Sequence, residues 1–165
     1  MNLRYTLTDY AYKYRSDDPP PVRWGNTSLE LTALRNEMVA CQLLLETDET
    51  ALVTLGSSLH LNWQPAPRLR VAVGELRGLE GMQVQAYLVG LVPADGGDQL
   101  IADPLLHQEA IEAPAGRPQA IWLSLRVPKD AAPGRYRLPV TLYRAGADFK
   151  DEEVAGQMEV ALEVA

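Results

Sequence analysis

Between positions 120 and 127, Ile121, Leu123, Leu125 and Val127 fall on one side of the chain and Ala120, Trp122, Ser124 and Arg126 on the other. A period of two is that of a β-strand with one buried face. Pro128 ends the run because it has no amide hydrogen to give to a ladder. The segment Lys129–Pro133 turns, and Gly134 opens a second run in which Tyr136, Leu138, Val140 and Leu142 share a face. These runs predict two strands joined as a hairpin or lying as near neighbours. A third run sets Met158, Val160, Leu162 and Val164 against Gln157, Glu159 and Glu163. It reaches Ala165 still in strand period, which reads as the N-terminal fragment of a longer, multidomain polypeptide.

Upstream, Ser28–Ala33 and Glu37–Thr47 also read as strands. The second is apolar on both faces through Met38, Val39, Ala40, Cys41, Leu43, Leu44 and Leu45, as expected of a central strand. A helix over Leu31–Leu45 competes, since Leu31, Leu34, Met38, Cys41 and Leu45 also fit helical spacing; the neighbouring strands favour the extended form. Shorter strands are predicted at Leu3–Thr8, Ala51–Leu55, Leu69–Val73 and Met82–Val92, each bounded by turn-forming residues. Eight or nine short strands without an amphipathic helix between them predict an all-β fold. The expected architecture is a single domain over 1–165, a two-sheet antiparallel β-sandwich of immunoglobulin or jelly-roll type. Asp17–Pro21, Pro93–Asp98 and Ala145–Glu153 read as loops within that domain rather than linkers.

A chain of 165 residues, 47% hydrophobic, is long enough to bury a core without cross-links. The formal net charge of -7 argues against nucleic acid, which needs a clustered basic surface. Arg68, Arg70, Arg77 and Arg117 are scattered and read as solvated. Cys41 is the only cysteine, so no internal disulfide forms, and its apolar surroundings make it a small buried hydrophobe. The first residues carry tyrosines and charges where a secretory signal has its apolar run, and no stretch approaches membrane-spanning length. The expectation is a cytoplasmic chain without membrane or nucleic-acid partners.

Candidate chemistry is sparse. His60 and His107 each lack a second ligand at metal spacing, and no Gly-x-Ser-x-Gly elbow or phosphate-cradling loop occurs. Asp95 and Asp98 flank two glycines in what reads as a plain turn, too poor in oxygens for calcium. The adjacent acids Asp17–Asp18 and Asp151–Glu152–Glu153 lie in charged loops with no aromatic wall to keep a carboxyl protonated, so they read as solvated. No catalytic residue, metal site or cofactor is predicted. Trp24 and Trp63 are candidates for stacking on a sugar ring, the reading of a carbohydrate-binding module. Trp122, opposite the apolar face of its strand, is expected to cover a second core surface or dock against another domain.

Several segments together resemble the N-terminal β-sandwich domain of glycoside hydrolase family 123 and its uncharacterised relatives. Leu34-Arg35-Asn36-Glu37, followed by Ala40 and Gln42-Leu43, is similar to that family's arginine-asparagine-glutamate strand, and Asp103-Pro104-Leu105-Leu106 to its aspartate-proline-leucine loop. Ile121-Trp122-Leu123, Val127-Pro128-Lys129-Asp130-Ala131 and Pro133-Gly134-Arg135-Tyr136 are similar to its hairpin before the final strand. The resemblance covers about Trp24–Ala165. It implies an accessory domain whose partner is a downstream catalytic barrel of the same polypeptide. In that family the aspartate-glutamate pair, which acts through the acetamido group of N-acetylhexosamines, belongs to the barrel. Nothing in this sequence matches the pair. The motif residues are therefore expected to be structural: Pro128 and Gly134 framing a turn, Asn36 and Glu37 bonding backbone at a strand start, Asp103 before Pro104 favouring a turn. A free-standing hydrolase is the remaining alternative.

Overall fold

The computed structural model describes residues 1–9, 22–56, 66–93, 100–146 and 152–165. Among them run eleven strands: β1 (Leu3–Thr8), β2 (Ser28–Ala33), β3 (Met38–Thr47), β4 (Ala51–Leu55), β5 (Arg68–Val73), β6 (Gln83–Pro93), β7 (Leu100–Leu106), β8 (Ala110–Ala113), β9 (Gln119–Arg126), β10 (Gly134–Ala145) and β11 (Glu153–Val164). They form a five-stranded sheet in the order β1-β3-β9-β6-β7 and a six-stranded sheet in the order β2-β11-β10-β5-β4-β8. The all-β sandwich expected from the alternation is the fold. No helix occurs among the described residues, and none is long and apolar enough to cross a membrane.

Three details differ from the sequence reading. The count rises because β7 and β8 carry too little alternation to be seen: β8 has only four residues, and β7 contains the Asp103-Pro104 pair expected to turn. That pair lies inside β7 where its register on β6 slips between Val89 and Leu91. Such a bulge on an edge strand accommodates a residue without an N–H and blunts the edge against further pairing. The sheets are antiparallel except at two pairings, β2 with β11 and β4 with β5. Finally, β9 and β10 do not form a hairpin. β9 lies between β3 and β6, whereas β10 lies between β11 and β5, so the segment around Pro128 crosses from one sheet to the other.

The helical alternative for Leu31–Leu45 fails for a local reason. Asn36 adopts φ 62°, which a helix interior does not tolerate, and the chain passes there from the six-stranded to the five-stranded sheet. β3 occupies a central place, as its two-sided apolarity predicts, with β1 and β9 on either side. Its first residue, Met38, is nevertheless 56% exposed, because Val39, Cys41, Leu43 and Leu45 take the inner face and Met38 falls on the outer face of the five-stranded sheet, opposite Arg126 and beside Ser124.

The core lies between the sheets. Cys41, Leu43 and Leu45 of β3 and Ile121, Leu123 and Leu125 of β9 meet Leu138, Val140 and Leu142 of β10 and Val160 and Leu162 of β11. Each of these leucine, isoleucine and valine side chains contributes about 1.5–3 kcal/mol by leaving water. Burial pushes the Cys41 thiol up to about 12, with the charge of Asp9 adding to the rise. Along the free edge of β1 the chain pairs with itself: the Leu7 N–H donates to the Asn26 carbonyl at 2.8 Å and the Gly25 N–H to the Tyr5 carbonyl at 3.0 Å.

At this side of the molecule the Tyr5 ring reaches across to buried Gly156 of β11, so closely that a Cβ there would overlap the ring. Gly156→Ala is expected to destabilise the fold by about 1–3 kcal/mol through overpacking, and the loss should shrink in a Tyr5→Leu background. Urea denaturation of the two single variants and the double variant measures both.

Candidate functional site

Three of the segments that carry the family resemblance meet at one end of the sandwich. The turn between β2 and β3 is closed by the Glu37 N–H donating to the Leu34 carbonyl at 3.2 Å, and the Glu37 carboxylate accepts the Leu34 N–H at 2.7 Å. Asn36 holds the left-handed third position, one of the few places where asparagine is favoured over bulkier residues. The same turn is fixed to the crossover after β9: the Asn36 N–H donates to the Pro128 carbonyl at 3.3 Å and the Val127 N–H to the Glu37 carbonyl at 2.8 Å. Pro128 also accepts from the Ala131 N–H, and the Tyr136 hydroxyl donates to the Ala132 carbonyl at 2.8 Å.

The connection between β5 and β6 completes this end. Leu76 and Leu79 are buried in the main core, Gly78 faces the Tyr136 ring, and Gly81 faces Pro128. Ala165 lies here too, its N–H donating to the Ala33 carbonyl at 3.0 Å. Asn36, Glu37, Pro128, Gly134 and Tyr136 are thus brought together largely by backbone bonds, while Asp103 and Pro104 stand apart in β7. What the arrangement does chemically is hold three connections in one rigid cap.

The aromatic residues serve a different surface. Trp122 and Trp24 are half-buried on the outer face of the five-stranded sheet, where with Val22 and Leu91 they cover a second cluster of Leu44, Val89 and Ala120. The Arg4 guanidinium lies over the Trp24 ring at 4.2 Å, a cation–π contact, and is paired with Glu46. The expected second core surface at Trp122 is present. The indole of Trp24 is engaged with Arg4 and this cluster. Trp63, His60, Asp17, Asp18, Asp95, Asp98 and Asp151 lie outside the described residues.

The charged groups correct one reading. Arg68 is not solvated but buried, at 7% exposure, and it shares Glu152 with Arg70. Arg70 stacks on Tyr143 at 4.2 Å, so its hydrogen-bonded fork and its planar face are both used. Glu152 and Glu153, read as acids of a solvated loop, take part in ion pairs with Arg70, Arg68 and Arg144. The cross-strand spacing Arg70–Tyr143 carried no signal in the sequence, because the register that joins them depends on β5 pairing with β10. The Arg70 hydrogen bonds hold the Glu152 carboxyl below the usual range against a smaller opposing effect of burial. His107 is exposed, edge-on to Tyr87 with ring centres 6.2 Å apart. Among the described residues no group of three His, Cys, Asp or Glu side chains is placed to hold a metal ion.

Two predictions follow from these contacts. Asn36→Gly should leave stability within about 0.5 kcal/mol, while Asn36→Val should cost about 1–2 kcal/mol, both read from thermal unfolding. Because Glu152 titrates lower in the fold than in the unfolded chain, its contribution is present at neutral pH and is lost as pH falls through the folded value. Glu152→Gln should therefore lower the urea midpoint at pH 7, with the gap from the parent closing below the ordinary glutamate range.

No family model matches the chain, and no curated protein matches it in sequence. Among solved structures, the family 123 glycoside hydrolase from Clostridium perfringens, described for its hydrolysis of glycolipid glycans, is similar over 99% of this chain. The identity is 8% and the TM-score 0.64. A PapD-like domain of human CEP192 matches over 86% of the chain and 82% of its own length, at 12% identity and a TM-score of 0.43. The major pilin subunit of Bacillus cereus matches over 94% of the chain and 40% of its own length, at 8% identity and a TM-score of 0.40. This chain spans 27% of the length of the Clostridium hydrolase, with whose fold it is shared.

Proposed function

We propose that the chain is a non-catalytic accessory β-sandwich that precedes and supports a glycoside-hydrolase-like barrel in a carbohydrate-active protein. The observation that carries this reading is the fold match to the family 123 hydrolase, complete for this chain but covering only 27% of that one. The clustered motif residues support it. Asn36, Glu37 and Pro128 bond one another's connections through backbone groups, and the Tyr136 hydroxyl is engaged by the Ala132 carbonyl. That arrangement suits a scaffold, since a general acid or nucleophile needs a side chain aimed at a substrate. In this reading Trp24 and Trp122 are covering residues for the second cluster, and sugar stacking is not their task.

The purified chain is expected to show no turnover of aryl N-acetylhexosaminides. The reading frame that encodes it is expected to continue beyond Ala165 into a barrel with an adjacent aspartate-glutamate pair at a strand end. Turnover by the purified chain, or a native frame that stops at Ala165, would overturn the proposal.

A further inference from the structure

Leu34 and Met38 are 63% and 56% exposed, the two most exposed large hydrophobic residues among those described. They flank the 34–37 turn, whose backbone is held by its own closing bond and by the bonds to Val127 and Pro128. The backbone at both positions is therefore set before any partner arrives, which removes the backbone part of the ordering cost of association. The same corner carries Arg35, next to Leu34, Arg126, the register partner of Met38, and Lys129, in the crossover after Pro128. All three are exposed, and among the described residues they form no ion pair. The arginines on the outer face of the six-stranded sheet behave differently, Arg135 pairing with Glu30 and Arg137 with Glu159. With Glu37 and Asp130 exposed at the same turns, two apolar side chains with a rim of both charges make a surface suited to an apolar patch bordered by polar groups.

The geometry points to this corner as the seat of the barrel that the accessory reading sets after Ala165, an inference that rests on that reading. Ala165 pairs with Ala33, the residue before Leu34, so a domain attached there begins beside the corner and meets it at high effective concentration. The partner surface it calls for is apolar at its centre and carries charges of both signs at its rim. Two exposed side chains alone bind weakly between separate molecules, and a tether makes the contact sufficient. Val154, 52% exposed, pairs with Tyr143 near the other end of β10 and is the matched control.

The test uses the full polypeptide with Leu34→Gln and Met38→Gln together. Calorimetry of the parent is expected to give one coupled transition. The double variant should split it in two, with faster protease cleavage after Ala165 and a larger radius of gyration, while Val154→Gln leaves all three unchanged. The same double substitution in the 1–165 chain should move its melting temperature by less than about 2 °C, since neither side chain is buried. A barrel that stays coupled in the double variant overturns this inference and leaves the accessory reading standing, whereas a full polypeptide without a barrel defeats that reading itself. A 1–165 chain that dimerises, and becomes monomeric in the double variant, reassigns the corner to self-association and overturns the inference as well.

Discussion

The inner faces of two sheets must be buried against each other, and the rest of the molecule is arranged around that requirement. Leu43, Ile121 and Leu123 on one side and Leu138, Val140, Leu142, Val160 and Leu162 on the other leave water almost entirely. A sandwich of this kind has a cost at its ends, where every strand must stop and every connection must satisfy its own backbone groups. At the end near Ala165 the solution is mutual: the β2–β3 turn and the β9–β10 crossover exchange hydrogen bonds, and Leu76 and Leu79 plug the gap beneath them. The rigidity of the exposed corner at Leu34 and Met38 is a by-product of that closure.

The two outer faces divide their labour. The six-stranded sheet turns out paired charges, in which Arg135 and Arg137 each face a glutamate and Arg70 holds Glu152. The five-stranded sheet turns out an apolar strip and covers it with the Val22–Trp24 segment and Trp122. Surface ion pairs of this sort add little stability in water, so their larger effect is to keep the first face solvated and unattractive to other chains. The indoles lie over the apolar strip and cut down the apolar patch this face presents.

The strands with one buried face were legible because burial imposes a period of two on the sequence: β9, β10 and β11 are plain in the alternation of leucines and valines with polar residues. What could not be read was which strands sit beside which. The Pro128–Gly134 turn has the composition of a hairpin, but β10 pairs with β11 and β5 rather than with β9, so the chain crosses to the other sheet. The edge strands β7 and β8 escaped because an edge tolerates a bulge and a proline, which erase the periodic signal. Met38 looked buried since its neighbours are; its exposure follows from pointing to the outer face of the five-stranded sheet, beyond the reach of the Trp24 and Trp122 cover. The motif residues were recognisable, but their shared location was not, since it depends on contacts between segments some ninety residues apart, as Asn36 with Pro128. The Arg68–Arg70–Glu152 cluster was invisible for the same reason.

Cys41 sits at the centre of this construction, in β3 and facing the main core, with its thiol pushed up to about 12. A thiol so protonated and so enclosed has almost no reactive thiolate at neutral pH. Alkylating reagents can reach it only when the two sheets part, which makes the native chain its own clock: the rate at which Cys41 is trapped reports how often the sandwich opens. Since no other cysteine occurs in the sequence, that rate needs no correction for a competing site.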